Sequence, residues 1–210
     1  MSTSASRATL WIPAGLIALA LLPAIGGTVR LLEVQSGVIT EANARFLSAP
    51  LPLVIHFLSS IIYFVLGALQ FSPGFRSRHL GWHRAAGRVL VPAGLLCALS
   101  GMWMAHFYPP YLGDGLALYV IRMMVGVAMI LFICLGLAAI RRRDVASHRP
   151  WMMRAYALGI AAGTQPLTLG IAIGVASLEE VPYTIGLAAG WLLNLAVAEW
   201  FIRRKRPVVG

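Results

Sequence analysis

Charge is what this sequence lacks. Only 11% of its 210 residues are Asp, Glu, Lys or Arg, against about 25% in an average soluble domain. Seven residues are acidic, and Lys205 is the single lysine beside sixteen arginines. So few charges cannot clothe a soluble globule, and almost no polar stretch is long enough for a separate soluble domain. Cysteine is scarce as well. Cys97 and Cys134 both sit inside apolar runs, so no disulfide framework or metal-ligand spacing is present, and both read as small packing residues. There is no Ser-His-Asp set, no pair of carboxylates within an apolar run and no phosphate-cradling glycine loop, which argues against hydrolytic chemistry. The first apolar stretch lacks a small-x-small cleavage site followed by polar sequence, so it reads as a first span and not as a secretory signal.

What remains is apolar: 59% of the residues are hydrophobic and the mean hydropathy is +0.80. A spanning helix needs about 20 mostly apolar residues. Six segments qualify: Thr9–Leu32, Leu51–Phe71, Ala85–Phe107, Leu116–Ile140, Trp151–Val175 and Tyr183–Ile202. The expected fold is therefore all-α, a single domain over residues 1–210 with six transmembrane helices. The link Glu33–Pro50 is polar and suits a short interfacial helix.

The net charge of +10 would point to nucleic acid in a soluble protein. Here the arginines read as topology determinants, and no nucleic-acid role is expected. With the N-terminus inside, one side of the membrane collects Arg7, the group from Arg76 to Arg88, the group from Arg141 to Arg154, and the C-terminal run. The other side holds Arg30, Arg45, Glu33, Glu41, Asp114, Glu179 and Glu180. The positive-inside bias places both termini in the cytoplasm of a bacterial inner membrane. Trp11, Trp82, Trp103, Trp151, Trp200, Tyr108 and Tyr111 fall near the span ends, as an aromatic belt requires.

Small residues indicate which helices touch. The fifth span carries Gly159, Gly163, Gly170 and Gly174, and the sixth carries Gly186 and Gly190. These G-x-x-x-G faces let backbones approach closely in lipid. They predict tight packing of spans five and six, with a homodimer or docking to a larger membrane complex as further uses. The chain also hints at duplication. His56 precedes His83-Arg84 much as Arg122 precedes His148-Arg149, and the two spacings differ by one residue. Each unit would be a hairpin with a basic corner, and two such hairpins make a four-helix bundle of spans two to five.

Polar residues inside spans usually face the bundle interior. On span two, His56, Ser60, Tyr63, Gly67 and Gln70 share one helical face. Span three contributes a stripe of Arg88, Pro92, Leu99, Trp103 and His106, span five Arg154, Ala161, Gln165 and Thr168. Span four gives Arg122, and span six gives Asn194 and Glu199. By depth they form two groups. His56, His106, Arg122 and Gln165 lie in the outer half, where Pro166 also frees the carbonyl of Ala162. Gln70, His83, Arg84, Arg88, His148, Arg149 and Arg154 gather at the inner ends, with Glu199 expected to pair with Arg154 or Arg88. Arg122 cannot be neutral, and no carboxylate lies at its depth in spans two, three or five. It therefore calls for carbonyls, an anionic ligand or a lipid phosphate.

Imidazole is a standard axial ligand in helix bundles. His56 and His106 stand on antiparallel neighbours and would hold a haem b, with arginines available for its propionates. His83 and His148 match in depth but lie at the surface. His83 and His106 are about 34 Å apart along their helix, so one haem is expected and not a transmembrane relay of two.

Four separated motifs occur in order: His56; Gly67-Ala68-Leu69-Gln70-Phe71; His83-Arg84-Ala85-Ala86-Gly87-Arg88; and His148-Arg149-Pro150-Trp151-Met152-Met153-Arg154. Through them, spans two to five resemble a bacterial family of predicted membrane proteins of unknown function. The His-Arg segment after a basic loop is also similar to b-type cytochrome and ferric-reductase membrane domains, which implies a haem in a helix bundle. Three expectations follow. The first is a haem-binding or quinone-linked redox protein, using His56 and His106 with Arg122 or Gln165 as orienting groups. The second is a protein that binds or transports an anionic lipid or small molecule through Gln70, His83, Arg84, Arg88, His148, Arg149 and Arg154. The third is an accessory subunit docking through its glycine faces.

Overall fold

A computed structural model of the chain describes residues 3–110, 113–176 and 179–204; for residues 3–10, 73 and 75 it describes the backbone alone. Tyr111, Lys205, Arg206 and the side chain of Arg7 lie outside that description. The described residues form eight helices: α1 (Thr3–Ser36), α2 (Ala44–Ser48), α3 (Pro50–Gln70), α4 (Pro73–Arg78), α5 (Leu80–Phe107), α6 (Leu116–Arg141), α7 (Val145–Val175) and α8 (Glu180–Arg204). Six of them are long and apolar enough to cross a membrane, so the all-helical, six-span expectation holds. Contact with the lipid bilayer follows from it.

The helices begin earlier than the apolar runs. α5 starts at Leu80 and α7 at Val145, so both His-Arg corners lie inside their helices and not in front of them. Polar residues extend a helix beyond its apolar stretch because helix propensity does not require apolarity. Asp144 starts α7: its carboxylate accepts the Ser147 backbone N–H at 3.0 Å, which satisfies a donor that the helix leaves open. Pro50 at the start of α3 costs no hydrogen bond there. The polar link before α3 contains α2 and is organised by buried Asn43. Its Oδ1 accepts from the Thr40 N–H at 2.8 Å, and its Nδ2 donates to the Val38 carbonyl at 2.9 Å.

The chain divides into two compact units, residues 1–109 and 110–210. In the first, α3 is the centre. α5 packs along one side of it and α1 along another. Leu53, Tyr63, Phe64 and Ala68 of α3 and Leu90, Ala93, Cys97 and Ala98 of α5 form its core. α1 comes close because Gly27 has no side chain: a Cβ there would overlap the ring of Phe57.

In the second unit α7 is central, between α6 and α8. Its stretch 155–164 is almost continuously buried, from Ala155 to Thr164. Gly126, Met129, Ile133, Gly136 and Ala139 recur at three- and four-residue intervals on α6 and turn one face to it. A Cβ on Gly136 would come within 2.7 Å of Met152 Sδ. Against α8 the approach extends to the α7 backbone itself. A Cβ on Gly186 would stand 2.8 Å from the Leu169 Cα, and one on Gly190 2.7 Å from Gln165 Cγ. The expected close packing of spans five and six is thus found, with the glycines of α8 making it. Gly170 and Gly174 of α7 face open space instead.

Candidate functional site

The α3 polar stripe meets α5 at His56. Its Nδ1 lies 2.9 Å from the Cys97 carbonyl and 3.2 Å from Ser100 Oγ. A backbone carbonyl can only accept, so Nδ1 carries the proton and donates, and Nε2 keeps the lone pair. Ser60 Oγ donates to the His56 carbonyl at 2.6 Å and lies 3.2 Å from Cys97 Sγ. Gly101 makes room: a Cβ there would be 3.2 Å from His56 Cε1. The ring is thereby held in one tautomer and one orientation. Metal-bound imidazoles are fixed in the same way. Cys97, Ser100 and Gly101 did not stand out in the sequence, because a cysteine, a serine and a glycine inside an apolar run read as packing.

His106 is not brought to His56. The α5 residues facing His56 are Cys97, Ser100 and Gly101. At about 100° per residue, His106 stands roughly 120–180° around the helix from them. It is exposed and packs edge-on against Phe107. The remaining outer candidates find partners within the second unit. Arg122 forms an ion pair with Asp114 at 2.8 Å; its partner is thus a carboxylate outside spans two, three and five, in place of the expected carbonyls, anionic ligand or lipid phosphate. Asp114 sits just before α6, and the long arginine side chain reaches back toward it. Gln165 donates through Nε2 to the Leu187 carbonyl of α8 at 3.2 Å. It belongs to the α7–α8 seam, together with the Thr164–Asn194 pair, where Asn194 Nδ2 donates to Thr164 Oγ1 at 3.0 Å.

The two basic corners differ. In the second unit, Arg154 makes a two-pronged bond to Glu199: Nε donates to Oε1, and Nη2 donates to Oε2 at 3.1 Å. Its guanidinium also lies 4.7 Å from the centre of the Trp151 ring. Arg203 approaches the same carboxylate at 3.9 Å. His148 donates from Nδ1 to the Gly136 carbonyl at 2.8 Å, clamping α7 to α6. Arg149 is half-buried, and Arg141, Arg142 and Arg143 are exposed. The Asp144 carboxyl is held below the usual carboxylate range, chiefly by the hydrogen bond from the Ser147 side chain and then by the Ser147 backbone N–H.

In the first unit the corner has no such partner. Arg84 and Arg88 are exposed on α5, and Arg76 and Arg78 lie in the last turn of the preceding α4. None of the four makes an ion pair among the described residues. The unit's acidic residues, Glu33 and Glu41, both precede α3, while this corner lies at its far end. Gln70 ends α3 at the same corner. Both polar atoms of its carboxamide are buried, with no hydrogen-bond partner among the described residues. His83 is half-buried beside Arg84.

Residues 53–202 match the model of a family described as Predicted membrane protein (DUF2306). The matched stretch runs from α3 to the end of α8 and takes in His56, both basic corners and Glu199. No curated protein and no solved structure matches the chain.

Proposed function

We propose, from the premise that the chain belongs to the DUF2306 family of predicted membrane proteins, that this protein binds an anionic headgroup or small anion at the Arg84–Arg88 corner of α5. The observation that carries this reading is the missing counter-charge. Arg88 lies eight residues into α5 but only three inside the apolar run that begins at Ala85, about 4–5 Å along the helix, and a guanidinium at that edge of the apolar zone gains from a counter-charge. Arg154 has Glu199; Arg88 has no carboxylate in its unit that could serve. That leaves its guanidinium fork open to an external anion, and Arg forks bind phosphate and carboxylate well. The orientation that suits this reading has both termini and both corners on the cytoplasmic side of a bacterial inner membrane, where anionic lipids attract basic segments.

The test is to purify the protein in mild detergent and identify by mass spectrometry the anions and lipids that stay bound. Retention by the wild type and loss in Arg88→Ala, with retention in His56→Ala, is the expected result. A wild-type protein free of any anionic ligand would overturn the reading.

The anchoring of His56 favours a second reading, a membrane redox role. Its fixed lone pair on Nε2 suits it as the sole protein ligand of a haem b, or as the acceptor for a quinol hydroxyl. A haem held jointly by His56 and His106 does not fit the geometry of α5. A haem, when bound, would supply one-electron chemistry; the chain's part is to hold the ring of His56 through Cys97 and Ser100. A Soret band lost in His56→Ala would support this reading, and a colourless protein from haem-replete cells would remove its haem form.

A further inference from the structure

Resting on the anion-binding reading, we infer that the ligand of the Arg84–Arg88 corner carries a phosphate monoester, a dianionic group, in preference to a diester. Arg84 and Arg88 are four residues apart on α5, so they project from one side of the helix with Cβ atoms about 5–6 Å apart. Both are exposed, and like charges at this spacing repel. Arg76 and Arg78 on α4 add to the same sign. A diester brings one negative charge and two terminal oxygens. A monoester brings a charge of about −1.5 to −2 at neutral pH and three terminal oxygens. Each guanidinium presents a planar fork that seeks two acceptors. Two forks are better served by three oxygens than by two, and two positive charges are better neutralised by a dianion. Both arginines stand at one end of a spanning helix, at the edge of the apolar zone, where uncompensated charge is penalised more heavily than in bulk water. That penalty turns the charge count into selectivity.

The chemistry is shared by a phosphatidate headgroup and by a soluble phosphate monoester, and the experiment separates them. The full-length protein, in detergent with phosphatidylcholine, is offered phosphatidate and phosphatidylglycerol in equal amounts, and bound lipid is counted by native mass spectrometry. A preference of about tenfold for phosphatidate is expected, the size of one good charge-assisted contact. Arg84→Gln and Arg88→Gln should each abolish the preference. Arg84→Lys should keep part of it, because the charge survives and the fork does not. Both positions are exposed, and thermal melting of each variant verifies that the fold is intact. Inorganic phosphate is then added as competitor. Displacement of phosphatidate assigns recognition to the phosphate group alone, and resistance to displacement assigns it to the membrane-borne lipid; the monoester class stands in both cases. Equal binding of the two lipids would overturn the monoester inference while leaving anion binding intact. Binding of neither would overturn both.

Discussion

In the second unit the arginine set deepest from its corner, Arg154, is gripped by Glu199 and stacked on Trp151. In the first unit the corresponding arginine of the His-Arg motif, Arg88, has no carboxylate at its end of the unit and stands exposed. Each unit also has one histidine anchored to a backbone carbonyl, at a different place in its hairpin. His148 ties the base of α7 to Gly136, close to the corner. His56 is tied to Cys97 and Ser100 farther along α3 from its corner. Two similar His-Arg corners thus end in a self-neutralised hairpin in one unit and a charged, exposed one in the other. An internal ion pair consumes the binding capacity of its arginine. For the anion binding proposed above, the arginine without such a pair is the one with capacity to spare.

The comparison breaks most sharply at Glu199. Glu199→Gln leaves the Arg154 guanidinium without its counter-charge and should destabilise the second unit by about 2–3 kcal/mol, reduced from a fully buried pair because both side chains are partly exposed. Arg88→Gln should cost almost nothing in stability. Thermal melting of the two variants measures the contrast, and equal losses would erase the distinction between the corners.

The glycines give the next effect. Gly186→Leu places a side chain against the Leu169 backbone and should cost about 1–3 kcal/mol. Gly170→Leu projects into open space and should leave melting unchanged. A comparable loss at Gly170 would mean that this face is covered in the assembled protein.

Gln70 sharpens the first unit. A buried carboxamide with no partner costs about 1–3 kcal/mol, so Gln70→Met should raise the melting temperature of the ligand-free protein. If anion retention falls in the same variant, Gln70 belongs to the site; if it does not, the residue is a structural orphan.

The smallest effect is at Asp144. Its carboxyl is depressed in the fold, so its contribution is fully present above the ordinary carboxylate value of about 3.9. It is lost as pH falls through the lower folded value. Melting curves should be flat in this respect from neutral pH to about 4 and then fall. Asp144→Asn should lack part of that fall.

Much of this was legible in the residues, and the failures have physical causes. The six spans follow from run length, the α7–α8 seam from glycine spacing, and a pairing of Glu199 with Arg154 or Arg88 from shared depth, with the pairing of the helices selecting Arg154. Arg122 was misread because carboxylates were sought at its own depth. A guanidinium stem about two helical turns from Asp114 can lean to meet it, which depth alone does not reveal. His106 was misplaced because counting from Arg88 selects a face of α5 other than the one Leu90, Ala93 and Cys97 turn to α3. The partners of His56 were hidden because a backbone carbonyl and a small serine leave no compositional trace. The proposed anion site turns on a carboxylate missing at one end of one unit, which means little until the helices are paired.

The pairing of Arg154 with Glu199 also bears on how the chain is made. The two residues are 45 positions apart, so α7 enters the bilayer with its guanidinium unmatched until α8 emerges. A charged residue raises the insertion cost of a helix by about 2.5–3.5 kcal/mol at its centre and by less toward its ends. α7 is therefore held only provisionally during synthesis, and the arrival of α8 completes it. A chain interrupted between the two would leave the Arg154 guanidinium without its carboxylate.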